Sequence, residues 1–405
     1  MFRLDLLLAQ LNHVDDKVVE PFWFHTSVSL VRWCAVRMFL HLAKISRVIE
    51  EDAHAAATSL GAKMQDLSGA IMLVTGAGGF LCSFLLDVMV ALNSKVLSSP
   101  CSVIALDNFQ SGLPERVQHL QNDKNISFIQ HDMRKEFLPE RHVDYIIHGA
   151  SIASPPFYRK FPLETMDVNI DGTRHLLNLC KKDSRSMLYL STSEVYGDPD
   201  PAFVPTSESY LGNVSCTGPR ACYDESKRVA ETLCTIYHRL HALPIKIARP
   251  FNVYGPGQRI DDGRIIPDLM LAAIKKEPFV LFSDGKATRS FCYVADAIRT
   301  LLLLLVTDAN GEAFNIGNDQ EEITMGGVAQ LVSTLAAPPV IDVRFHVNAD
   351  PLYLTDNPQR RCPDLSKLKR LTGYKPDFSL EKGLSRTLES YRELALENQN
   401  HASVS

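Results

Sequence analysis

The chain has 405 residues, 45% of them hydrophobic and 22% charged, enough for a large core and more than one typical domain needs. A net charge of -5 leaves no basic footprint for nucleic acid. Nine cysteines without a Cys-x-x-Cys pair read as reduced thiols, and neither they nor the histidines show metal-ligand spacing.

Residues 1–69 read as a helical extension. Pro21 to Lys44 is apolar, but Arg32 and Arg37 interrupt it, and charge at mid-bilayer is expensive. No basic start with a cleavage site marks a signal peptide. A helix docking on the catalytic domain or on a partner subunit is the expectation there, in a cytoplasmic protein. An interfacial or membrane-anchoring helix is the alternative.

Beyond residue 69 the pattern alternates. Strands are predicted near 70–75, 102–107, 126–131, 143–148, 186–191 and 245–250, with helices around 80–93, 163–182 and 223–241. Such alternation predicts an α/β fold, a Rossmann-type doubly wound parallel sheet. We expect residues 70–250 to form a dinucleotide-binding domain and 251–396 a smaller substrate-binding lobe, followed by a polar tail at 397–405.

The first strand, Ile71-Met72-Leu73-Val74-Thr75, runs into Gly76-Ala77-Gly78-Gly79 and then the apolar-periodic segment from Phe80 and Leu81 onward. Glycines let a backbone approach a pyrophosphate, which then sits on the free N–H groups of the helix N-terminus. The second strand ends at Asp107, placed to accept hydrogen bonds from a ribose, and Asn108 follows it. An acid there with no Arg directly after it favours NAD over NADP. Cys82 stands where a third glycine would serve helix–strand packing, so a slight helix shift is expected, with cofactor binding retained.

The strand Leu188-Tyr189-Leu190 delivers Thr192 and Glu194 to its C-terminal end, where ligands of open parallel sheets bind. Farther on, Tyr223 and Lys227 are four apart on one helix, so the ammonium can sit beside the phenol and lower its pKa. A phenol tuned that way takes a proton from a sugar hydroxyl while a nicotinamide takes the hydride. Val229, Leu233, Ile236 and Leu240 follow at helical spacing and are expected in the core.

Together with Ala153-Ser154-Pro155-Pro156-Phe157-Tyr158, Thr192-Ser193-Glu194-Val195-Tyr196-Gly197 and Gly218-Pro219-Arg220-Ala221-Cys222-Tyr223, these stretches resemble the extended short-chain dehydrogenases that modify nucleotide sugars. The later runs Arg249-Pro250-Phe251-Asn252, Asp262-Gly263-Arg264, Thr288-Arg289-Ser290-Phe291 and Arg360-Arg361-Cys362-Pro363-Asp364 extend the likeness, which is strongest to the UDP-glucuronate decarboxylases, from about Ile71 to about Leu394. The resemblance implies NAD as cofactor, held by Gly76, Gly79, Phe80, Leu81, Asp107, Asn108, Asp132, Tyr223 and Lys227. It implies oxidation of the sugar at C4, loss of the C6 carboxylate as carbon dioxide, protonation at C5 and return of the hydride. Thr192, Glu194, Tyr223, Lys227 and Arg361 would carry the reaction, with Arg361 near the sugar carboxylate. Tyr158, Asn252, Arg264 and Arg289 would join Arg361 in holding UDP-glucuronate. Relatives are usually homodimers through a helix pair that includes the Tyr223 helix.

Related NDP-hexose 4,6-dehydratases typically carry Asp at the position of Ser193, because loss of water from C6 needs an acid. A dehydratase or an epimerase of the same fold is the alternative. A nucleotide-sugar-binding protein without activity is the reading outside the class.

Overall fold

A computed structural model describes residues 45–336, 342–346 and 355–402. The expected helix at Pro21 to Lys44 and residues 403–405 lie outside the described residues.

The first helix, α1 (Arg47–Leu60), buries Val48, Ile49, Asp52, Ala53, Ala56, Ala57 and Leu60, one stripe at helical spacing. The elements that follow are β1 (Ile71–Thr75), α2 (Phe80–Lys95), β2 (Ser102–Asp107), β3 (Ile126–Gln130) and β4 (Tyr145–His148). Two short helices, α3 (Pro155–Lys160) and α4 (Pro162–Asp167), lead through a π-turn at Val168–Gly172 into α5 (Thr173–Cys180). Next come β5 (Ser186–Leu190), α6 (Ala221–His241), β6 (Ile245–Pro250), α7 (Val294–Leu305), β7 (Glu312–Ile316) and α8 (Leu380–Ala402). The last helix takes in residues 397–402, where a polar tail is expected.

All seven strands pair in parallel in the order β7-β6-β5-β4-β1-β2-β3. The central strands β4 and β5 are buried at every position, as a sheet covered on both faces requires. Chain order reverses between β1 and β4, the switch point at which such sheets open a crevice for ligands. This is the doubly wound α/β fold. Spacing predicts six strands, and the seventh, β7, comes from beyond residue 250 to pair with β6.

Over the carboxyl edge lies a small three-stranded sheet. Its middle strand, Thr288–Ser290, pairs antiparallel with Glu322–Thr324 and parallel with Arg360–Arg361. That register sets Arg361 directly beside Arg289. Among the described residues no helix is long and apolar enough to cross a membrane.

The expected core stripe of α6 is overturned at Val229, Ile236 and Leu240, while Leu233 packs partly buried against the core. Its buried face carries Tyr223, Asp224, Ser226, Lys227, Ala230, Glu231 and Cys234. Val229, Ile236 and Leu240 are exposed, Leu240 at 72%. The polar groups face inward because they belong to the cleft, so the apolar stripe of this helix points outward.

The described part of the extension, from residue 45 onward, is built into the domain. The apolar stripe of α1 packs against α2, α7 and α8. Buried within that contact, the Asp52 carboxylate accepts from the Tyr293 hydroxyl at 2.5 Å and pairs with Arg386 Nε at 2.8 Å. Replacing Asp52 with Ala strands the buried Tyr293 hydroxyl, while Arg386 keeps Glu51, and a buried donor left unpaired costs about 1–3 kcal/mol. Urea unfolding of Asp52→Ala is expected to show a loss of that size; an unchanged midpoint would mean that the helix is not anchored this way.

Candidate active site

The turn after β1 has no room for side chains. Gly76 sits at φ +74°, and a Cβ there would lie 2.7 Å from the Ala150 nitrogen and from the Gly149 carbonyl. The turn opens onto a cleft of about 530 Å³ that extends into open solvent, lined among others by Gly76, Gly79, Asp107, Asn108 and Asp132. Phe80 and Leu81 form the first turn of α2 but are not part of that lining. The Asp107 carboxylate accepts from the Gly78 N–H at 2.8 Å and the Phe109 N–H at 2.6 Å, while burial raises its pKa. Each carboxylate oxygen keeps accepting capacity for a ribose hydroxyl. A bare helix N-terminus beside a ribose-sized acid fits a dinucleotide. Asp132 is held instead by Arg134, whose guanidinium lies 2.6 Å away and depresses the carboxyl.

Space for the Cys82 side chain is made opposite it. A Cβ on Gly149 would stand 2.3 Å from Cys82 Sγ. The thiol donates weakly to the Thr75 carbonyl at 3.5 Å, and burial pushes it up to about 12, so it is an inert packing group. Gly149, at the end of β4, thus supplies the room that a third glycine on the helix would have supplied.

At the end of β5 the chain turns into a short 3₁₀ segment, Ser193–Tyr196, capped by Thr192 Oγ1 accepting from the Glu194 N–H at 3.2 Å. Opposite stands Tyr223, stacked on Tyr158 with ring centres 5.4 Å apart and planes within 8°. Burial pushes the Tyr223 phenol well above its ordinary value, against a hydrogen bond with Thr192 and the charge of Arg264. Lys227 Nζ donates to the Leu190 carbonyl at 2.7 Å and lies 5.9 Å from the centre of the Tyr223 ring. The expected lowering of the phenol by Lys227 is therefore not realised here. Desolvation dominates both groups, and it pulls Lys227 down to about 7.

Beyond Thr192 lies a cluster of charge. Arg361 forks onto the Glu194 carboxylate, with Nη2 2.7 Å from Oε2 and Nη1 on Oε1. Arg220 Nη2 reaches the same carboxylate at 2.5 Å. Burial raises Glu194, but the guanidiniums of Arg361 and Arg220 more than offset this and hold it far below the usual carboxylate range. Asp224, 3.6 Å from Arg220 Nε, is pushed up to about 7 by burial and by Glu194. Nε of Arg220, Nε of Arg361 and Oδ1 of Asp224 are buried without hydrogen-bond partners among the described residues.

The remaining expected contacts divide. Arg289 is buried and donates to the carbonyls of Thr288 and Pro358, both at 2.7 Å, and to Asn357. Burial and the neighbouring Arg361 bring it down to about 9. Arg264 donates to the Ala153 carbonyl at 2.9 Å, close enough to Tyr223 to favour its ionised form. Asn252, at φ +41°, donates to the Ser290 carbonyl at 3.0 Å. Two residues escape sequence reasoning. Arg220 lies inside a recognised run, three before Tyr223, yet its reach to Glu194 is a tertiary fact. Asn169, in the π-turn, donates to Ser226 Oγ at 2.8 Å, and its own Oδ1 is unpaired.

Residues 72–317 match the model of the NAD dependent epimerase/dehydratase family. The chain belongs to this family. It is 39% identical over 344 residues to UDP-glucuronic acid decarboxylase 2 of Arabidopsis thaliana, covering 85% of this chain and 72% of that protein. To UDP-glucuronic acid decarboxylase 1 of Danio rerio it is 38% identical over 330 residues, 81% of this chain and 74% of the relative. Among solved structures it is similar to a UDP-glucuronic acid 4-epimerase from Bacillus cereus in complex with UDP-glucuronic acid and NAD. That likeness has a TM-score of 0.70 and 28% identity, and it covers 80% of this chain and 99% of the other. A dTDP-glucose 4,6-dehydratase from Bacillus anthracis, in complex with NAD, gives a TM-score of 0.67 at 25% identity over 80% and 97%.

For this family member the Cys82–Gly149 contact sets a double-mutant test. Gly149→Ala forces a methyl against Cys82 Sγ and the cleft wall, an overpacking that costs about 1–3 kcal/mol. The expected result is weaker NAD binding in Gly149→Ala and recovery when Cys82→Gly is added. Additive effects would show that the two positions are not coupled.

Proposed function

We propose that the protein is an NAD-dependent decarboxylase that converts UDP-glucuronate to UDP-xylose. The observation that carries this reading is the pair of guanidiniums, Arg361 and Arg220, meeting on one side of Tyr223 and Thr192. A sugar acid bound with C4 at Tyr223 carries its carboxylate toward that pair. Decarboxylases for UDP-glucuronic acid among the relatives support the same choice of substrate.

Bound NAD supplies the hydride acceptor that makes C4 a ketone and gives the hydride back at the end. Gly76, Gly79 and the first turn of α2 would hold its pyrophosphate, and Asp107 its ribose. Tyr223 acts as the phenolate, a form that burial opposes and that the Thr192 hydrogen bond and the Arg264 charge favour; it accepts the proton of the C4 hydroxyl, with Thr192 hydrogen-bonded to the same oxygen. The ketone is β to the carboxylate, so the C5–C6 bond breaks with its electron pair moving to the C4 oxygen as carbon dioxide leaves. Tyr223, now a phenol, and Thr192 stabilise that enolate oxygen until C5 takes a proton from water and the ketone re-forms; the hydride then returns to C4 as the phenol gives its proton back to the oxygen. Glu194 stays ionised between two guanidiniums, so its part is to aim them rather than to donate a proton at neutral pH. Ser193 is buried beside it and is a poor acid, which disfavours loss of water from C6.

A homodimer completes the proposal. The outward stripe of α6 exposes Val229, Ile236 and Leu240, and α4 beside it exposes Leu163 and Met166. A second copy supplies a matching stripe about a two-fold axis. We place the enzyme in the cytoplasm, supported by eight free cysteines among the described residues.

Incubation with UDP-glucuronate and NAD, followed by mass spectrometry and NMR, is expected to yield carbon dioxide and UDP-xylose without net NADH. Tyr223→Phe is expected to slow turnover about 10²–10⁴-fold while leaving UDP-glucuronate binding largely intact. Loss of water from an NDP-hexose, with UDP-glucuronate untouched, would replace this reading with the dehydratase. Sedimentation should give a dimer that Ile236→Glu with Leu240→Glu converts to monomer; a dimer unaffected by both changes would move the interface elsewhere.

A further inference from the structure

Between the two ligand regions runs a loop, residues 255–264, whose bonds go both ways. On the sugar side, Ser154 Oγ donates to the Asp262 carbonyl at 3.0 Å, and Arg264 reaches the Ala153 carbonyl at 2.9 Å. The loop itself is stiff. Gln258 Nε2 donates to Asp262 at 2.9 Å, the Gln258 carbonyl accepts from Tyr391 of α8, and Gln258 and Asp262 are both buried.

At the tip of the loop, Arg259 touches both sides at once. Its Nε and Nη2 fork onto Asp261 at 2.8 and 2.7 Å, which fixes the plane of the guanidinium. The remaining nitrogen, Nη1, donates to the Ser111 carbonyl at 3.1 Å. The same plane lies 4.7 Å from the ring centre of Phe157. Ser111 belongs to the loop that lines the cofactor cleft and folds over Asp107, where a Cβ on Gly112 would lie 3.0 Å from the carboxylate. Phe157 precedes Tyr158, the ring stacked on Tyr223.

We propose that Arg259 is a positioning residue that couples the two sites, so that NAD on the Ser111 loop tightens the nucleotide-sugar loop at Phe157, and the reverse. The proposal rests on the reading of NAD and a nucleotide sugar as the two ligands. Neither contact belongs to the reacting groups. A side chain shared by two loops gains from both only when both are ordered, so ordering one lowers the cost of ordering the other. Coupling between sites is reciprocal, and typical values correspond to about fivefold or more in affinity.

The test uses the full chain carrying Tyr223→Phe, so that UDP-glucuronate is not consumed. Saturating UDP-glucuronate is expected to tighten NAD binding, measured by calorimetry, about fivefold or more. Adding Arg259→Ala should bring that factor close to one while NAD affinity without the sugar nucleotide changes less than about twofold. Phe157→Leu, which removes only the stacked ring, should reduce the factor in the same direction. An unchanged factor, or an equal loss of NAD affinity with and without the sugar nucleotide, overturns the proposal. Hydrogen exchange gives a readout that needs NAD alone. In the otherwise unchanged protein, NAD should slow exchange at both 108–113 and 154–160, and in Arg259→Ala only at 108–113. Slowing at both segments in the variant also overturns it. If UDP-glucuronate gives no heat, the substrate reading falls, and the exchange result still decides the coupling.

Discussion

The pair between Glu194 and Arg361 is the interaction on which the site depends, because it joins chain segments 167 residues apart. Glu194 is delivered by the end of β5, at the centre of the sheet. Arg361 arrives on a two-residue strand that pairs with Thr288–Ser290, so the small sheet is clamped over the carboxyl edge. Backbone bonds reinforce the join, with the Thr206 N–H donating to the Cys362 carbonyl at 2.8 Å and the Asp364 N–H to the Thr206 carbonyl at 2.9 Å. A buried ion pair gains little net energy after desolvation, but removing one partner leaves an unpaired charge at a cost of about 3–5 kcal/mol. Its value here is registry. Only one seating of the 360–361 segment satisfies both the strand register and the fork onto Glu194.

Much of the sheet is legible in the sequence because its strands are short apolar runs ended by turn residues. Ile71–Thr75 and Ser102–Asp107 follow from that rule without any tertiary knowledge. So does the glycine turn at Gly76, whose positive φ and close approach to Gly149 explain why a side chain is missing there. Helix α6 shows where the rule fails. Apolar periodicity says that one face is covered but not by what, and on this helix the inner face is spent on Tyr223, Lys227 and Glu231. Glu231 is occupied by Arg249, with Nε 2.8 Å from Oε1, and by Ser191 Oγ at 2.5 Å, which ties the helix to the strands under it. Cys82 is a subtler case, since the compensating space is given by a glycine 67 positions later that no local pattern connects to it.

Titration behaviour was the least legible property. Spacing on a helix correctly brings Tyr223 and Lys227 onto one face, but proximity and burial act against each other on the phenol. Water is excluded from both groups, so the neutral form of each is favoured, and the lysine is satisfied by the Leu190 carbonyl and the face of Tyr189 at 5.0 Å. Distance decides the contest. A cation 5.9 Å from the ring centre, turned toward a carbonyl, offers the phenol less than desolvation removes.

The charge cluster beyond Thr192 runs the opposite way, and the contrast follows from counting charges. Glu194 faces two guanidiniums within hydrogen-bond reach, so burial is outweighed and the carboxylate stays ionised. Asp224 has Arg220 at 3.6 Å and Arg361 farther off, and it shares its surroundings with Glu194, so burial wins and its pKa rises. Arg289, beside Arg361 in the register, feels Glu194 and Asp198 only at a distance, and burial with the neighbouring guanidiniums drives it down. Three guanidiniums gather on Glu194, the carboxylate held firmly ionised there, while Asp198, Asp224 and Asp356 act from farther off, so the cluster is short of negative charge close to the guanidinium nitrogens. A ligand bearing its own carboxylate relieves that shortage at the point where the unpaired Nε atoms of Arg220 and Arg361 lie, whereas a neutral hexose would leave it standing.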